Sequence, residues 1–380
     1  MSTNYKKKEG YIVIGGGILG ASTAFHLASS GKAVTLIDRK DTGQATDAAA
    51  GIVCPWLSQR RNKAWYQLAK GGAKIYPEII NKLRELGEVD TGYERVGAIS
   101  LHSDEKKLNA MKERALKRRE DAPEIGNITI LNEEETKQAF PLIGEGYGSV
   151  HVSGAARVDG RKLRDALISG AKKLGAQIVK GDASLVAENG KVTGVRVDDE
   201  LYEAGTVIAT TGAWMGELFK PLGISFDVKP QRAQLMHLQV AGYDTAKWPV
   251  VMPPTNQYML AFKDQRLVIG ATHEDDTGFN PRVTAGGLYE VLSKALQVSP
   301  QLENATVLET RVGFRPVTPG FLPVVGMVPG VSGLFAANGL GASGLTMGPY
   351  IGAELAKMAQ GIESEIDPAN YPIAEAVKKL

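Results

Sequence analysis

The sequence predicts an α/β (α+β) chain of two domains, the first built on a Rossmann-like nucleotide-binding unit. Three observations lead there. The chain has 380 residues, more than one ordinary hydrophobic core holds. Residues 11–38 read as strand, glycine turn, helix, strand. Strand and helix alternate again at 161–179 and at 333–359.

Each element of the front unit has a local cause. Residues 11–14, Tyr-Ile-Val-Ile, are an apolar run suited to a buried parallel strand. Gly15, Gly17 and Gly20 follow in G-x-G-x-x-G spacing. The first glycine permits a tight turn. The second lets a pyrophosphate approach the backbone, and the third lets helix pack on strand. The segment "ASTAFHLASSG" reads as a helix ending at Gly31, its N-terminus facing the phosphates. The run "AVTLID" is a second strand ending in Asp38, near the ~20-residue offset at which an acid reaches the ribose hydroxyls. Ile18 and Leu19 in the turn, and Arg39 after the acid, are further candidate contacts. NAD and FAD share this fingerprint.

Composition narrows the function classes. Hydrophobic residues make up 43% and charged residues 23%, ordinary for a soluble globular chain. A net charge of +2 gives no reason to expect nucleic acid or an anionic membrane as partner. The 44 glycines cluster without a period, which excludes collagen and linker readings and points to backbone approaching a ligand. Cys54 is the only cysteine, so an internal disulfide and a cysteine metal cluster are excluded, and a reducing cytoplasm is expected. The start "MSTNYKKKEG" runs into an apolar stretch too short and glycine-rich for a signal peptide or a membrane span. The five histidines show no metal-ligand spacing, and His26, inside the crossover helix, is expected to pack rather than react. Residues 104–120 read as a solvated amphipathic helix with Leu108, Met111 and Leu116 inward.

Three further segments resemble the family of D-amino-acid-oxidase-like flavoproteins, which includes glycine oxidase, sarcosine oxidase and D-amino-acid dehydrogenases. "GQATDAAAGIVCP", 43–55, is similar to the small-residue loop that passes along the ribityl chain and flavin ring. Ala45, Thr46, Ala49, Ala50, Gly51 and Ile52 hold the matching positions. "VTGVRVDDELYEAGTVIATTGAWMGEL", 192–218, ends in a turn resembling the one under the cofactor's phosphates and ribose, at Thr211, Gly212 and Trp214. The adenine contact maps near Ala183 or Ser184. "GLFAANGLGASGLTMGPYIGAELAKMA", 333–359, matches the C-terminal flavin element, with Gly339, Gly341, Ser343, Gly344, Leu345 and Thr346 as contacts. Its helix N-terminus would stabilise negative charge on the reduced flavin. The resemblance covers nearly the whole chain, in the family's order, and implies FAD rather than NAD.

The resemblance also implies the chemistry: hydride transfer from the substrate Cα to flavin N5, then hydrolysis of the imine, with oxygen or another acceptor reoxidising the flavin. Arg315, in "GFRP" at 313–316, corresponds to the family arginine that grips the substrate carboxylate. No acid occurs from 310 through 330, so its partner is either that ligand or a distant acid. Tyr258 is a candidate for the pocket and equally for the core; His273 is a candidate pocket residue or a loop histidine. Arg232 and Gln234 correspond to structural positions. Sarcosine-oxidase relatives attach FAD through a cysteine whose equivalent here is about Gly313, so noncovalent FAD is expected. The sequence departs from glycine oxidase at Ala342, where that enzyme has arginine, and in "CPW" at 54–56, which places Trp56 near a pocket entrance.

The family organisation implies a discontinuous FAD domain at 1–91, 146–222 and 311–380, and a mainly antiparallel substrate domain at 92–145 and 223–310. The leading expectation is oxidation of a small amino acid of glycine, D-amino-acid or imino-acid type. The alternatives are a sarcosine or dimethylglycine oxidoreductase and a non-catalytic flavin subunit of a larger complex. The small amino-acid substrate is the expected partner, and a homo-oligomer stays open.

Overall fold

The computed structural model describes residues 10–379. The lead at 1–9, on which the absence of a signal peptide was partly read, lies outside the described residues.

Two large sheets carry the molecule. A six-stranded sheet runs in the order Val324–Met327, Leu334–Asn338, Thr206–Ala209, Tyr11–Ile14, Val34–Asp38, Gln177–Lys180. All its pairs are parallel except the one at the Val324–Met327 edge. Parallel strands buried on both faces read as continuous apolar runs, which is why Tyr11–Ile14 and Val34–Asp38 were legible. The helix Ile18–Ser29 packs against helices Gly160–Lys173 and Gly344–Ala359. Small residues permit the contact. A methyl on Gly352 would fall 2.7 Å from the Ser22 Cβ, and one on Gly170 would press on Phe25.

The second sheet has eight strands: Thr306–Val317, Lys229–Gln239, Arg266–Gly270, Tyr258–Ala261, Val250–Met252, Ala98–His102, Gly148–Val152, Ile128–Leu131. It is antiparallel except where Val250–Met252 runs parallel to Ala98–His102. Helix Ala285–Val298 seals one face through Val291, Ala295 and Val298 onto Met259, Ile269 and Leu238. The molecule is thus a Rossmann-like sheet joined to a mainly antiparallel one, as expected.

The join that matters is the strand Thr306–Val317. It pairs along its length with Lys229–Gln239, and at its far end the Phe314 amide donates to the Gly43 carbonyl at 2.9 Å. Arg315 is thereby carried from one sheet to the edge of the other.

The charged helix forms as Glu105–Arg119, capped by the Asp104 side chain. Its inward residues are Leu108, Met111 and Ala115. Leu116, expected inward, is half-buried. Spacings of three and four keep 108, 111 and 115 on one stripe, and the next residue turns ~100° away.

Candidate active site

A cavity of about 610 Å³ lies between the two sheets. At one end it begins at the glycine turn. Gly15 takes φ +100, and a methyl on Gly20 would overlap the Gly15 carbonyl oxygen. Gly20 therefore serves strand–helix packing and lies outside the cavity lining, while Gly15, Gly17, Ile18 and Leu19 line it. A methyl on Gly17 would meet only Thr46 Oγ1, at 3.5 Å, so the space before the turn is open. The N-cap of helix Ile18–Ser29 is Gly17, which has no side chain to cap it, and Thr46 Oγ1 accepts from the Ile18 amide at 3.0 Å. The dipole of the helix suits a phosphate.

Asp38, 8% exposed, closes the second strand. Its carboxylate accepts from the Gly16 amide, from the Lys40 amide at 2.6 Å and from Gln44 Nε2 at 3.1 Å. Arg39 binds Asp41, Asp182 and Glu217, at 2.6, 3.1 and 2.8 Å, bracing this rim with charge. Ala183 and Ser184 open the strand Ala183–Glu188 beside it, and Thr211, Gly212 and Trp214 form the turn after Thr206–Ala209. All five line the cavity.

Further in, Ala45, Thr46, Ala49, Ala50, Gly51 and Ile52 form one wall. A methyl on Gly51, at φ +103, would overlap the Val158 carbonyl oxygen. Opposite stand Gly341, Ser343, Gly344, Leu345 and Thr346, at the uncapped N-terminus of helix Gly344–Ala359. Thr346 Oγ1 donates to the Ile52 carbonyl at 2.9 Å and ties the walls together. Gly339 lies outside the lining: at φ +78 it abuts Thr318, because a side chain there would strike the Thr318 hydroxyl. Asn338, one residue earlier, lines the cavity. It donates to the Gly212 carbonyl at 2.8 Å and accepts from the Gly339 amide at 2.6 Å, locking two turns to each other.

At the other end Arg315, Tyr258 and His273 converge on the cavity. Arg315 is 9% exposed. Its Nη1 donates to the Thr272 carbonyl at 3.1 Å and to Gln231 Oε1 at 3.3 Å, and among the described residues no carboxylate pairs with it. Burial pulls its pKa below the ordinary arginine value. Burial pushes the Tyr258 hydroxyl up to about 12, against the pull of Arg315, so it stays a neutral donor. Burial, then Arg315, lowers His273 below its usual range, which favours its neutral form. Arg232 and Gln234 are spent on Glu274, at 2.5 and 2.7 Å.

Two aromatic positions exchange roles. Trp56, expected at an entrance, is 1% exposed and belongs to the core, because Arg118 Nη1 pins the Trp56 and Ser58 carbonyls at 2.7 Å each. Trp65 lines the cavity instead. Its one sequence signal was Asn62, whose side chain accepts from the Trp65 amide at 2.8 Å and starts the helix there. Asn256 was also missed, although it stands two residues before Tyr258, the spacing that keeps a strand's side chains on one face. Cys54 lines the cavity as a buried thiol that burial pushes up to about 12.

A cavity with a glycine turn, an acid at the end of the second strand and two helix N-termini in its lining fits FAD. Among the described residues no group of histidine, cysteine and acid residues could hold a metal ion, and no helix is long and apolar enough to cross a membrane.

Comparisons agree with the geometry. The family model of FAD-dependent oxidoreductases (DAO) matches residues 11–358. The chain is 62% identical to the uncharacterized oxidoreductase YurR of Bacillus subtilis, over 97% of this chain and 100% of that one. It is 29% identical to the glycine oxidase of Pseudomonas putida, over 95% and 97%. The crystal structure of iminodiacetate oxidase from Chelativorans sp. BNC1 is 42% identical and superposes with a TM-score of 0.92, covering 95% of this chain and 98% of that one.

Proposed function

The chain belongs to the DAO family of FAD-dependent oxidoreductases, and from that premise we propose that it oxidises the C–N bond of a small amino or imino acid. The observation that carries the reading is Arg315: a buried guanidinium facing the cavity with no acid to pair it. A planar guanidinium offers a bidentate fork to a carboxylate, and such a ligand would complete it.

Bound FAD supplies the hydride acceptor. The chain's own residues do the rest. Arg315 holds the carboxylate and so aims Cα; the Tyr258 hydroxyl stands beside it as a neutral donor. His273, whose neutral form burial and Arg315 favour, lines the same end of the cavity, and the substrate reacts as the free amine without an added base. The nitrogen lone pair forms the C=N bond as hydride leaves Cα, and water then splits the imine into an oxo acid and an amine or ammonia. Either oxygen or another acceptor takes up the electrons. The proposed division of labour gives 1–91, 146–222 and 311–380 to the cofactor and 92–145 and 223–310 to the substrate; strand Thr306–Val317 crosses that boundary.

An N-substituted amine is the favoured form of this substrate. Ala342 is exposed in the cavity lining where glycine oxidase has arginine, which leaves room beyond the nitrogen, and the similar Chelativorans enzyme is an iminodiacetate oxidase. The test is anaerobic addition of glycine, sarcosine, D-alanine, D- and L-proline and iminodiacetate to the holoenzyme. Bleaching of the flavin band near about 450 nm by one of them supports the proposal; a yellow protein bleached by none overturns it.

The flavin is held without a covalent bond in this proposal. Gly313 lines the cavity with no side chain to offer, and the Cys54 thiol stays protonated at neutral pH, a poor nucleophile. Acid precipitation is expected to leave the yellow colour in the supernatant, and colour retained in the pellet refutes it.

A further inference from the structure

Arg315 has a counterpart behind the cavity wall, stacked on the lining residue Trp65. Most arginines around the cavity are neutralised: Arg39 by Asp41, Asp182 and Glu217, Arg232 by Glu274, Arg266 by Asp159, Arg311 by Glu309. Arg118 and Arg157 have no acid partner among the described residues, but each donates to two carbonyls. Arg60 does neither. It is half-buried, and burial alone perturbs it. Its Nη2 donates to the Phe321 carbonyl, and among the described residues Nε and Nη1 have no hydrogen-bond partner. The guanidinium carbon stands 5.0 Å over the ring of Trp65, which lines the cavity.

The position is built. Arg118 pins the carbonyls of residues 56 and 58, the Ser58 hydroxyl accepts from the Arg60 amide at 3.2 Å, and Asn62 caps the helix that carries Trp65. Phe321 lies on the turn that follows Arg315 along the chain. One cation therefore lines the cavity and one stacks on a residue of its wall, both with donors to spare. The cavity wall at Ala342 carries only a methyl. Preorganised donors lose little entropy when they bind.

We propose that Arg60 reads a second anionic group on the substrate, so that the preferred substrates are secondary amines bearing a carboxylate on each arm. One carboxylate is held by Arg315, and on that reading this inference rests. The nitrogen lies between the two, and Trp65 gives Arg60 an apolar floor that strengthens its hold on the outer carboxylate.

The experiment uses holoenzyme and two ethers that cannot be oxidised at nitrogen: diglycolate, with two carboxylates, and methoxyacetate, with one. Binding is read from the shift of the flavin absorption. Diglycolate is expected to bind at least about tenfold more tightly than methoxyacetate. R60A removes that advantage and leaves the methoxyacetate affinity unchanged; R60K restores part of it through charge. R60M, which keeps an apolar stem over Trp65, replaces R60A if the truncation loses flavin. Equal binding of both ethers overturns the role of Arg60 and leaves Arg315 intact, as does an equal weakening of both in R60A. A holoenzyme that binds neither overturns both readings.

Discussion

Replacing Arg315 with alanine is expected to lower kcat/KM by about 10²–10³-fold, the effect of leaving a buried carboxylate without its partner, ~3–4 kcal/mol. The loss falls on KM when the carboxylate contact is equal in ground and transition states, and on kcat as well when misaimed Cα slows the hydride step. R315K is expected to recover only part, because an ammonium cannot match two oxygens at once. Stability moves the other way. The ligand-free protein holds this guanidinium 9% exposed with two neutral acceptors, Thr272 O and Gln231 Oε1. Removing it removes a desolvated charge, so the melting temperature of ligand-free R315A should be unchanged or higher. Steady-state kinetics beside thermal melts decide it. A variant that melts lower with an unchanged KM shows an arginine that holds the fold and not the substrate.

Gly17 and Gly20 are expected to separate the cofactor from the fold. A methyl at Gly20 overlaps the carbonyl of Gly15 and crowds Thr210 Oγ1. The strand Tyr11–Ile14 and the helix Ile18–Ser29 then cannot keep their distance, and overpacking of this kind costs ~1–3 kcal/mol or more. G20A should melt lower and lose flavin together. At Gly17 a methyl meets only Thr46 Oγ1, at 3.5 Å, so the flavin-free fold of G17A should melt as the parent does. The methyl stands where the pyrophosphate approaches the turn, and FAD affinity should fall by about 10²-fold, equivalent to ~3 kcal/mol. Flavin titration of the stripped proteins, with melts alongside, measures both. Normal FAD affinity in G17A places the phosphates elsewhere.

These two predictions draw on different kinds of information. Gly15, Gly17, Gly20 and Asp38 were legible from the chain alone, because every constraint on that unit acts between residues close in sequence. The tight turn, the helix start and the strand end follow one another within residues 11–38, and no distant residue can alter their spacing. The small-residue wall at 45–52 and the turn at 341–346 were legible for the same reason: glycine and alanine announce close approach wherever they cluster.

Pairing across the fold was not legible. An absence of acids from 310 through 330 left Arg315 free in sequence only. That it is free in space depends on where Glu274 and Glu309 go, and they go to Arg232 and Arg311. Trp56 and Trp65 differ in the same way. Both lie near the flavin loop in sequence, yet Arg118, from a helix beginning at Glu105, draws the first into the core, and the Asn62 cap turns the second toward the cavity. Gly339 packs on Thr318, and Asn338 beside it lines the cavity. Local conformation is decided by neighbours along the chain, whose distances are bonded and fixed. The company a side chain keeps is decided by the register of Thr306–Val317 on Lys229–Gln239 and by the packing of sheet against sheet, and only the folded structure sets those.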